Sequence, residues 1–291
     1  MDKIKDTIKE IGEITLGLTL ILGEFGFKTM KSSFNKMKSF SIKNSSILIT
    51  GGGSGIGKGT AKYLAKKGSK VTICGRREEK LIEVAQEIGD SCCYVAADIT
   101  TQAGREKVIE YALHHGKGLN ALINNAGNMY RSSLDKLEEG KLQDIFHINV
   151  ISGMMLSSQS LVHLKETKGA IIFISSVHTR RAFPGASPYA ASKGAIETLT
   201  KVLASELGPF GVRVNCVVPG AVYGEINQRA GLVSDEEAKF RLESLVSEHR
   251  LGRIGKAKEI GEAIEYLITA EWTTGAILDV DGGLGLGAIT D

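Results

Sequence analysis

Short apolar runs alternate with helical periodicity along most of the chain. The first run, residues 46–50, breaks into a glycine-rich turn, after which Ala61, Leu64 and Ala65 follow a helical spacing. Six further runs have the length and apolar composition of buried strands: 70–74, 93–96, 121–124, 170–175, 213–217 and 277–280. Buried strands that alternate with helices require a parallel sheet covered on both faces. We therefore predict a single α/β domain over residues 46–291, with a doubly wound parallel sheet in the Rossmann arrangement.

Residues 1–45 differ from this body in both pattern and charge. Apolar residues recur there at a spacing of three and four, and residues 28–43 then hold five lysines and no acid. This pattern predicts an amphipathic helix followed by a basic linker. The longest apolar stretch, residues 14–22, is shorter than the about 20 residues that a bilayer requires. Two interpretations stay open: the helix packs on the body or at a subunit contact, or it binds a membrane surface peripherally.

Composition and charge exclude several classes of function. With 42% hydrophobic and 24% charged residues, the chain has an ordinary globular balance. Outside residues 1–45 there are 28 basic and 28 acidic residues, so the body is neutral and we expect no nucleic-acid partner. The four cysteines form no CxxC pair and have no histidine at metal-ligand spacing. We therefore expect no metal site, no disulfide and a reducing, cytoplasmic location.

The glycine-rich turn and the end of the second strand together indicate a dinucleotide. Gly51, Gly55 and Gly57 allow backbone N–H groups to approach a pyrophosphate at the N-terminus of the next helix. An NAD-binding unit usually has an acidic residue after the second strand, but this sequence has Arg76 and Arg77. A guanidinium at Arg76 can pair with the adenosine phosphate of NADP, and Arg77 is interpreted as an exposed cap on the following helix. We predict NADP(H) as the cofactor, with NAD as the alternative.

A tyrosine and a lysine four residues apart are the candidate catalytic groups. Tyr189 and Lys193 lie on one face of a predicted helix, where the ammonium is expected to stabilise a phenolate and lower the pKa of the tyrosine. Ser176, at the end of the strand over residues 170–175, can hydrogen-bond the same substrate oxygen. A tyrosine and a lysine at this spacing are common on surface helices, and the upstream serine makes the set specific.

Two further segments are expected to contact the substrate. The polar stretch 223–250 has a helical pattern without a strand signal, and we interpret it as an insertion or lid. In the other segment, residues 177–188, the basic side chains of His178, Arg180 and Arg181 either meet an anionic group or face solvent, and we favour solvent.

The motifs of the chain and their order along it resemble those of the short-chain dehydrogenase/reductase family, over nearly all of residues 46–291. Asn149, Ser176, Tyr189 and Lys193 match the catalytic tetrad of that family. The other matching motifs are Thr50-Gly51-xxx-Gly55-x-Gly57, Asp98-Ile99-Thr100, Asn124-Asn125-Ala126-Gly127, Pro219-Gly220 and Asp281-Gly282-Gly283. Residues 251–255 are similar to those of β-ketoacyl carrier-protein reductases, but this segment is shared too widely to fix a substrate.

The resemblance implies hydride transfer between a nicotinamide and a carbonyl or secondary alcohol. Tyr189 would donate or accept the hydroxyl proton, while Lys193 would bind the nicotinamide ribose and tune the tyrosine. Ser176 would orient the carbonyl, and Asn149 would anchor a water in the proton relay. The hydride itself belongs to the cofactor. The implied cofactor contacts are Thr50, Gly51, Ser54, Gly55, Ile56, Gly57, Arg76, Asp98, Ile99, Asn124, Ala126, Gly127, Tyr189, Lys193 and Val222.

One departure and one alternative stand beside this resemblance. The family usually has a threonine after the Pro-Gly pair to hold the carboxamide, but residues 221–224 read Ala-Val-Tyr-Gly. The alternative is a non-catalytic dinucleotide sensor or scaffold on the same fold. The complete tetrad argues against it, because a pure binder has no need for Ser176, Tyr189 and Lys193 together. We expect a small-molecule partner and a homodimer or homotetramer.

The membrane interpretation of residues 1–45 predicts that the full chain binds anionic vesicles. An amphipathic helix and a basic patch supply two weak signals that together hold a protein at a surface. Sedimentation with anionic liposomes compares the full chain with a shortened chain that begins at Ser45, and added salt should release the full chain. Equal pelleting of the two chains would refute the membrane interpretation. A change of oligomer size on shortening would favour the packing interpretation.

Overall fold

Seven parallel strands form the centre of the fold, in the order β3-β2-β1-β4-β5-β6-β7. They are β1 Ser46–Thr50, β2 Lys70–Gly75, β3 Cys92–Ala96, β4 Ala121–Asn124, β5 Ala170–Ile174, β6 Arg213–Pro219 and β7 Ile277–Val280. The chain leaves β1 towards one edge of the sheet and returns to β4 on the other side of β1. This reversal is the switch point at which doubly wound sheets bind ligands. The predicted doubly wound parallel sheet is confirmed, with strand ends shifted by at most two residues.

The computed structural model describes residues 41–224 and 234–287, which belong to one compact unit, Ser41–Asp291. The predicted amphipathic helix and most of the basic linker lie outside the described residues, as does part of the stretch 223–250. The rest of that stretch contains a helix, as its pattern predicts. The boundary between an extension over 1–45 and a domain over 46–291 stays a prediction.

Eight α-helices surround the sheet in the described residues. They are α1 Gly55–Lys66, α2 Glu78–Ile88, α3 Gln102–Gly116, α4 Glu139–Phe146, α5 Ser152–Thr167, α6 Ser187–Leu207, α7 Asp235–Ser244 and α8 Ala257–Thr269. A π-helical turn, His147–Ile151, joins α4 to α5. By length and composition alone, the helical run Glu139–Thr167 could cross a membrane. In this fold its α5 part contributes Leu156 and Leu164 to the core.

The apolar runs of the sequence become strands because both faces of the sheet are covered. Four of the five inner strands, β1, β4, β5 and β6, are buried along their whole length, and β2 is buried except at its ends, whereas the edge strands β3 and β7 are only partly buried. One core lies between the sheet and the helices α3, α5 and α6, where Val108, Leu156 and Ile196 meet strand residues such as Phe173. Helices α1 and α8 pack on each other on the opposite face. This arrangement brings the carboxyl ends of all seven strands to one edge of the sheet.

Candidate active site

A cleft of about 480 Å³ runs along the carboxyl ends of the strands. One end is formed by the turn after β1 and by Arg76 and Asp98, and the other end by Ser176 and Tyr189. The predicted site residues that line it are Thr50, Gly51, Ser54, Gly55, Ile56, Arg76, Asp98, Ile99, Ala126, Gly127, Ser176, Tyr189, Lys193 and Val222. Gly57, Asn124 and Asn149 lie behind its wall. The structure thus brings together residues that are up to 172 positions apart in the sequence, Thr50 and Val222.

The turn after β1 approaches its neighbours so closely that it requires glycine. Gly51 has a φ of +67°, in the left-handed region that favours glycine. A Cβ atom on Gly57 would lie 2.3 Å from the carbonyl oxygen of Gly51 and 2.6 Å from Nδ2 of Asn125. Helix α1 begins immediately after the turn, and its first helical turn contains no acidic residue. Its N-terminal N–H groups and its dipole therefore favour an anion at this end of the cleft.

Thr50 connects the end of β1 to the end of β4. Its hydroxyl donates a hydrogen bond to the carbonyl of Ile123 (3.3 Å) and accepts from the backbone N–H groups of Asn125 (3.0 Å) and Ala126 (2.9 Å). The amide of Asn125 in turn donates to the carbonyl of Thr50 at 2.8 Å. Asn124 turns away from the cleft, and its Nδ2 donates to Ser157 Oγ at 3.0 Å. Thr50, a predicted cofactor contact, therefore joins the ends of β1 and β4. Asn124, another, joins the end of β4 to α5.

Arg76 and Asp98 lie at the end of the cleft that contains the glycine-rich turn. Asp98 Oδ1 accepts hydrogen bonds from the backbone N–H (3.0 Å) and the hydroxyl (2.8 Å) of Thr100. Burial favours a higher pKa for Asp98, but the bonds from Thr100 and the charge of Arg76 outweigh it and hold the pKa below its usual value. Arg105 supports this loop from behind, because its Nη1 donates to the carbonyl oxygens of Ile99 (2.9 Å) and Thr100 (3.0 Å).

Arg77 has a second role besides the predicted one. It precedes α2 as the N-cap residue, as the cap interpretation requires. However, its side chain is partly buried, and Nη2 donates to Ser54 Oγ in the glycine-rich turn at 3.2 Å. Arg76, by contrast, is exposed at the rim of the cleft. The two guanidinium groups therefore place positive charge at the same end of the cleft.

Ser176, Tyr189 and Lys193 meet at the other end of the cleft, and all three are buried. Ser176 follows the end of β5, and its hydroxyl is near enough to the phenol of Tyr189 to lower the pKa of that phenol. Lys193 lies one helical turn after Tyr189 on α6, with Nζ 5.8 Å from the centroid of the tyrosine ring. The ammonium donates to the backbone carbonyl of Ile174 at 2.8 Å. The hydroxyl, the phenol and the ammonium are thus next to one another at the base of the cleft.

The protonation of these groups differs from the sequence-based expectation. Burial raises the pKa of Tyr189, although the hydroxyl of Ser176 acts in the opposite direction. This direction is opposite to the lowering predicted from Lys193, because burial dominates. Burial also lowers the pKa of Lys193 to about 8. At neutral pH the tyrosine is therefore a phenol, and the lysine is mostly protonated.

Asn149 lies in the π-helical turn, behind Lys193 and the cleft wall. Its Nδ2 donates to the carbonyl of Asn128 and to Ser192 Oγ, both at 3.0 Å, and its Oδ1 accepts from the N–H of Asn128 at 2.8 Å. A Cβ atom on Gly127 would lie 3.1 Å from this oxygen and 3.5 Å from Lys193 Nζ. π-Helical turns inside α-helices are frequent at functional sites. Here the amide of Asn149 in this turn binds Asn128, which lines the cleft, and Ser192, which precedes Lys193.

His178 lines the cleft, so the favoured solvent-facing interpretation is wrong for this residue. Its Nδ1 is 3.0 Å from Ser176 Oγ, and its ring packs between Phe183 (4.4 Å between centroids) and Tyr189 (5.1 Å). Burial, with the nearby charge of Arg131, lowers the pKa of His178 to about 4. The imidazole is therefore neutral at physiological pH, beside the hydroxyl of Ser176.

The other two basic residues of this segment form ion pairs. Arg180, which is exposed, pairs with Glu197 at 2.7 Å and with Asp279 at 2.9 Å. Arg181 pairs with Glu248 at 2.8 Å.

Several residues that line the cleft belong to none of the predicted site residues: Met129, Arg131, Phe183, Leu242 and Leu245. Their only signal is that they follow a motif or lie in the segments assigned to the substrate.

The segment after β6 closes the cleft between its two ends. Val222 lines the cleft and pairs with Gly255 in a short parallel bridge. Gly224 lies against the glycine-rich turn, since a Cβ atom on Gly55 would be 3.4 Å from the Cα of Gly224. Residues 221–224 thus approach the turn through their backbone, in the stretch where the family usually has a threonine.

Two further features of the described residues are the absence of a metal-ligating cluster and the state of the cysteines. No group of three or more histidine, cysteine or acidic side chains there could hold a metal ion. All four cysteines are free, and burial raises the pKa of Cys74, Cys92 and Cys216 to about 12. They are consistent with the predicted role of apolar filling in strands.

Known proteins share both the sequence and the fold. A sequence model of the short chain dehydrogenase family matches residues 45–232. The L-fucose dehydrogenase of Oryctolagus cuniculus is 32% identical over 247 residues, which cover 83% of this chain and 85% of that protein. The glucose 1-dehydrogenase of Gluconobacter oxydans is 32% identical over 249 residues, covering 82% of this chain and 91% of that protein.

Two solved structures match as well. A short-chain dehydrogenase/reductase of unknown function from Caenorhabditis elegans, solved with cofactor, has a TM-score of 0.80 at 28% identity, covering 86% of this chain and 98% of that one. The 3-ketoacyl-(acyl-carrier-protein) reductase from Brucella melitensis, complexed with NADH, has a TM-score of 0.76 at 33% identity. The match covers 84% of this chain and 100% of that one. With its switch-point cleft and its glycine-rich turn, the chain belongs to the short-chain dehydrogenase/reductase family and is an oxidoreductase.

Proposed function

We propose that the chain transfers a hydride between NADP(H) and a carbonyl or secondary alcohol, with Tyr189 as the proton donor or acceptor. The observation that carries this proposal is the meeting of a buried serine, tyrosine and lysine at one end of a cleft whose other end is a glycine-rich turn. A non-catalytic binder would gain nothing from burying Lys193 beside Tyr189, because burying an ammonium group costs free energy.

The residues of the cleft fit a nicotinamide dinucleotide. When bound, the nicotinamide would supply or accept the hydride. The turn would hold the pyrophosphate, since Gly51 and Gly57 allow the close packing of the turn that a Cβ atom would prevent, and the N-terminus of α1 follows directly with its backbone N–H groups. Asp98 would contact the adenine, and Lys193 would hydrogen-bond the nicotinamide ribose. Val222 would hold the carboxamide end through its backbone.

The protonation states support Tyr189 as a proton donor in carbonyl reduction. Because burial raises its pKa, the phenol keeps its proton at neutral pH and can donate it to a carbonyl oxygen. The positive charge of Lys193 would then stabilise the phenolate that remains. Ser176 would share the same oxygen, with its hydroxyl oriented by the neutral His178. Asn149 would anchor the water through which the tyrosine regains its proton.

The charges around the adenosine end support NADP(H) over NAD(H). An exposed guanidinium at Arg76 follows β2, where an acidic side chain would bind the ribose hydroxyls of NAD. Arg77 adds a second positive charge nearby, because its guanidinium is held at the glycine-rich turn by the bond to Ser54. A ribose phosphate at this position would gain charge-assisted hydrogen bonds, which are about twice as strong as neutral ones.

We also propose a small-molecule substrate, a homodimeric or homotetrameric assembly and a cytoplasmic location. The substrate end of the cleft combines the apolar side chains of Met129, Phe183 and Leu245 with the charge of Arg131. This lining suits an organic carbonyl compound with an apolar part. Peripheral membrane contact through residues 1–45 is a separate proposal, and most of these residues lie outside the described ones.

We predict that Tyr189→Phe lowers kcat about a thousandfold and leaves the dissociation constant of NADPH nearly unchanged. The substitution removes the transferable proton but keeps the ring that packs against His178. NADPH oxidation over a panel of aldehydes and ketones gives kcat, and fluorescence titration gives the dissociation constant. Lys193→Ala is the contrasting variant, because one ammonium serves both turnover and ribose binding and both constants should worsen. Activity of Tyr189→Phe within threefold of the parent would refute its role.

We predict that Arg76→Asp shifts the cofactor preference from NADPH towards NADH, and more strongly than Arg76→Ala. The carboxylate repels the ribose phosphate and offers the ribose hydroxyls an acceptor, whereas alanine only removes the attraction. The measurement is kcat/KM for both cofactors with each variant. Because Arg76 lies at the exposed rim, the fold should tolerate both changes. An unchanged ratio in Arg76→Asp would mean that the phosphate binds elsewhere.

A further inference from the structure

A partly buried carboxylate outside the proposed reaction lies behind the catalytic serine. Glu197 is on α6, one helical turn after Lys193, and 15% of its side chain is exposed. Its Oε1 accepts hydrogen bonds from the hydroxyls of Ser175 (2.8 Å) and Thr179 (2.5 Å). Its Oε2 pairs with Nη1 of Arg180 at 2.7 Å. One carboxylate thus binds three side chains of a six-residue stretch.

These three partners bracket the residues that face the substrate. We call residues 175–180 the serine loop. Ser175 immediately precedes Ser176, while Thr179 and Arg180 immediately follow His178. The backbone N–H groups of residues 179 and 180 donate within the loop itself, to Ser176 and Val177. These local bonds hold the shape of the loop, but they do not fix its position relative to α6, which carries Tyr189 and Lys193.

The contacts of Glu197 connect the loop to α6, together with the hydroxyl of Ser175, which lies 3.2 Å from the carbonyl oxygen of Lys193, and the ring of His178, which packs edge-on against Tyr189. Hydrogen bonds that involve a charged group are shorter and about twice as strong as neutral ones. Arg180 also donates to Thr179 Oγ1 at 3.0 Å, so the guanidinium, the hydroxyl and the carboxylate form a closed ring. Beyond this ring Arg180 pairs with Asp279 on β7, whose side chain is 47% exposed. Such an exposed pair contributes little, and the bonds to Glu197 are the strong part of the network.

We propose that Glu197 is a positioning residue for the reaction: it fixes the serine loop against α6 so that the hydroxyl of Ser176 meets the phenol of Tyr189. The role rests on the proposed function, because it acts through Ser176. Displacement of a reacting group by about 1 Å can cost about a hundredfold in rate. The two ends of the loop are bound to the same carboxylate, so its loss weakens the attachment of both ends to α6, while the bond from the N–H of Ser175 to Val217 and the pair of Arg180 with Asp279 remain.

The test is a double-mutant cycle between Glu197→Ala and Ser176→Ala, measured as kcat for NADPH-dependent carbonyl reduction. In the parent background we expect Glu197→Ala to lower kcat about tenfold to a hundredfold and to leave the dissociation constant of NADPH within twofold. In the Ser176→Ala background the same change should cost less than about twofold, because the group that it positions is already absent. Glu197→Gln keeps an acceptor for Ser175 and Thr179 and should lose less than Glu197→Ala.

The matched control is Asp279→Asn, which breaks the outer ion pair of Arg180 and leaves Glu197 intact. It should keep kcat within twofold of the parent. If Glu197→Ala does not fold, as judged by thermal unfolding, the cycle is run with Glu197→Gln, and the coupling to Ser176 must again be visible. If Glu197→Ala lowers kcat equally in both backgrounds, the positioning role of Glu197 is overturned and the proposed function is not. A fully active Ser176→Ala variant would overturn both this role and the proposed function.

Discussion

The hydroxyl of Thr50 and the amide of Asn125 lock the turn after β1 to the end of β4, and the geometry of the cleft depends on this junction. It lies at the switch point of the sheet, where the chain changes direction between neighbouring parallel strands. Each of its hydrogen bonds contributes only about 1 kcal/mol net, but a buried partner left unpaired costs about 1–3 kcal/mol. Gly57 completes the junction, because a Cβ atom there would displace both Gly51 and Asn125. The turn can therefore present its N–H groups to an anion only in this arrangement.

The end of the cleft that holds Ser176 and Tyr189 depends on the same edge of the sheet but on different elements. Ser176 follows β5, while Tyr189 and Lys193 lie on α6, so their meeting requires that the loop after β5 and the helix keep a fixed relation. The carbonyl of Ile174 holds the ammonium of Lys193, and Glu197 holds the residues on either side of Ser176 and His178. Burial of these groups has an electrostatic consequence. The phenol keeps its proton and the imidazole of His178 stays neutral, which suits the donation of a proton to a carbonyl oxygen.

The features that the sequence predicts well are those with a local or periodic signal. The inner strands are apolar on both faces, so a run such as 121–124 is recognisable without knowledge of its neighbours. The glycine-rich turn and the Tyr-Lys spacing are likewise local. By contrast, the neutral state of His178 and the raised pKa of Tyr189 both depend on burial, which only the packed structure shows.

The remaining features depend on contacts between distant segments. Glu197 reads in the sequence as one more charged residue on a helix, and its three partners become visible only when the serine loop is seen beside α6. Asn124 belongs to a motif that predicts a cofactor contact, yet its amide donates to Ser157 on α5 inside the fold. Arg131 and Leu245 enter the cleft from loops that have no periodicity. For such residues only the packed structure assigns a place.

The most direct test of the central claim is the transfer of deuterium from NADPH labelled at C4 of the nicotinamide. The purified full chain is incubated with each stereoisomer of the labelled cofactor and a panel of ketones and aldehydes, and the alcohol products are analysed by mass spectrometry. The account predicts that one stereoisomer delivers a single deuterium to the former carbonyl carbon, and that Tyr189→Phe makes this product about a thousandfold more slowly. An alcohol formed without deuterium from either stereoisomer, or an undiminished rate in the variant, would contradict hydride transfer at the Ser176–Tyr189–Lys193 site.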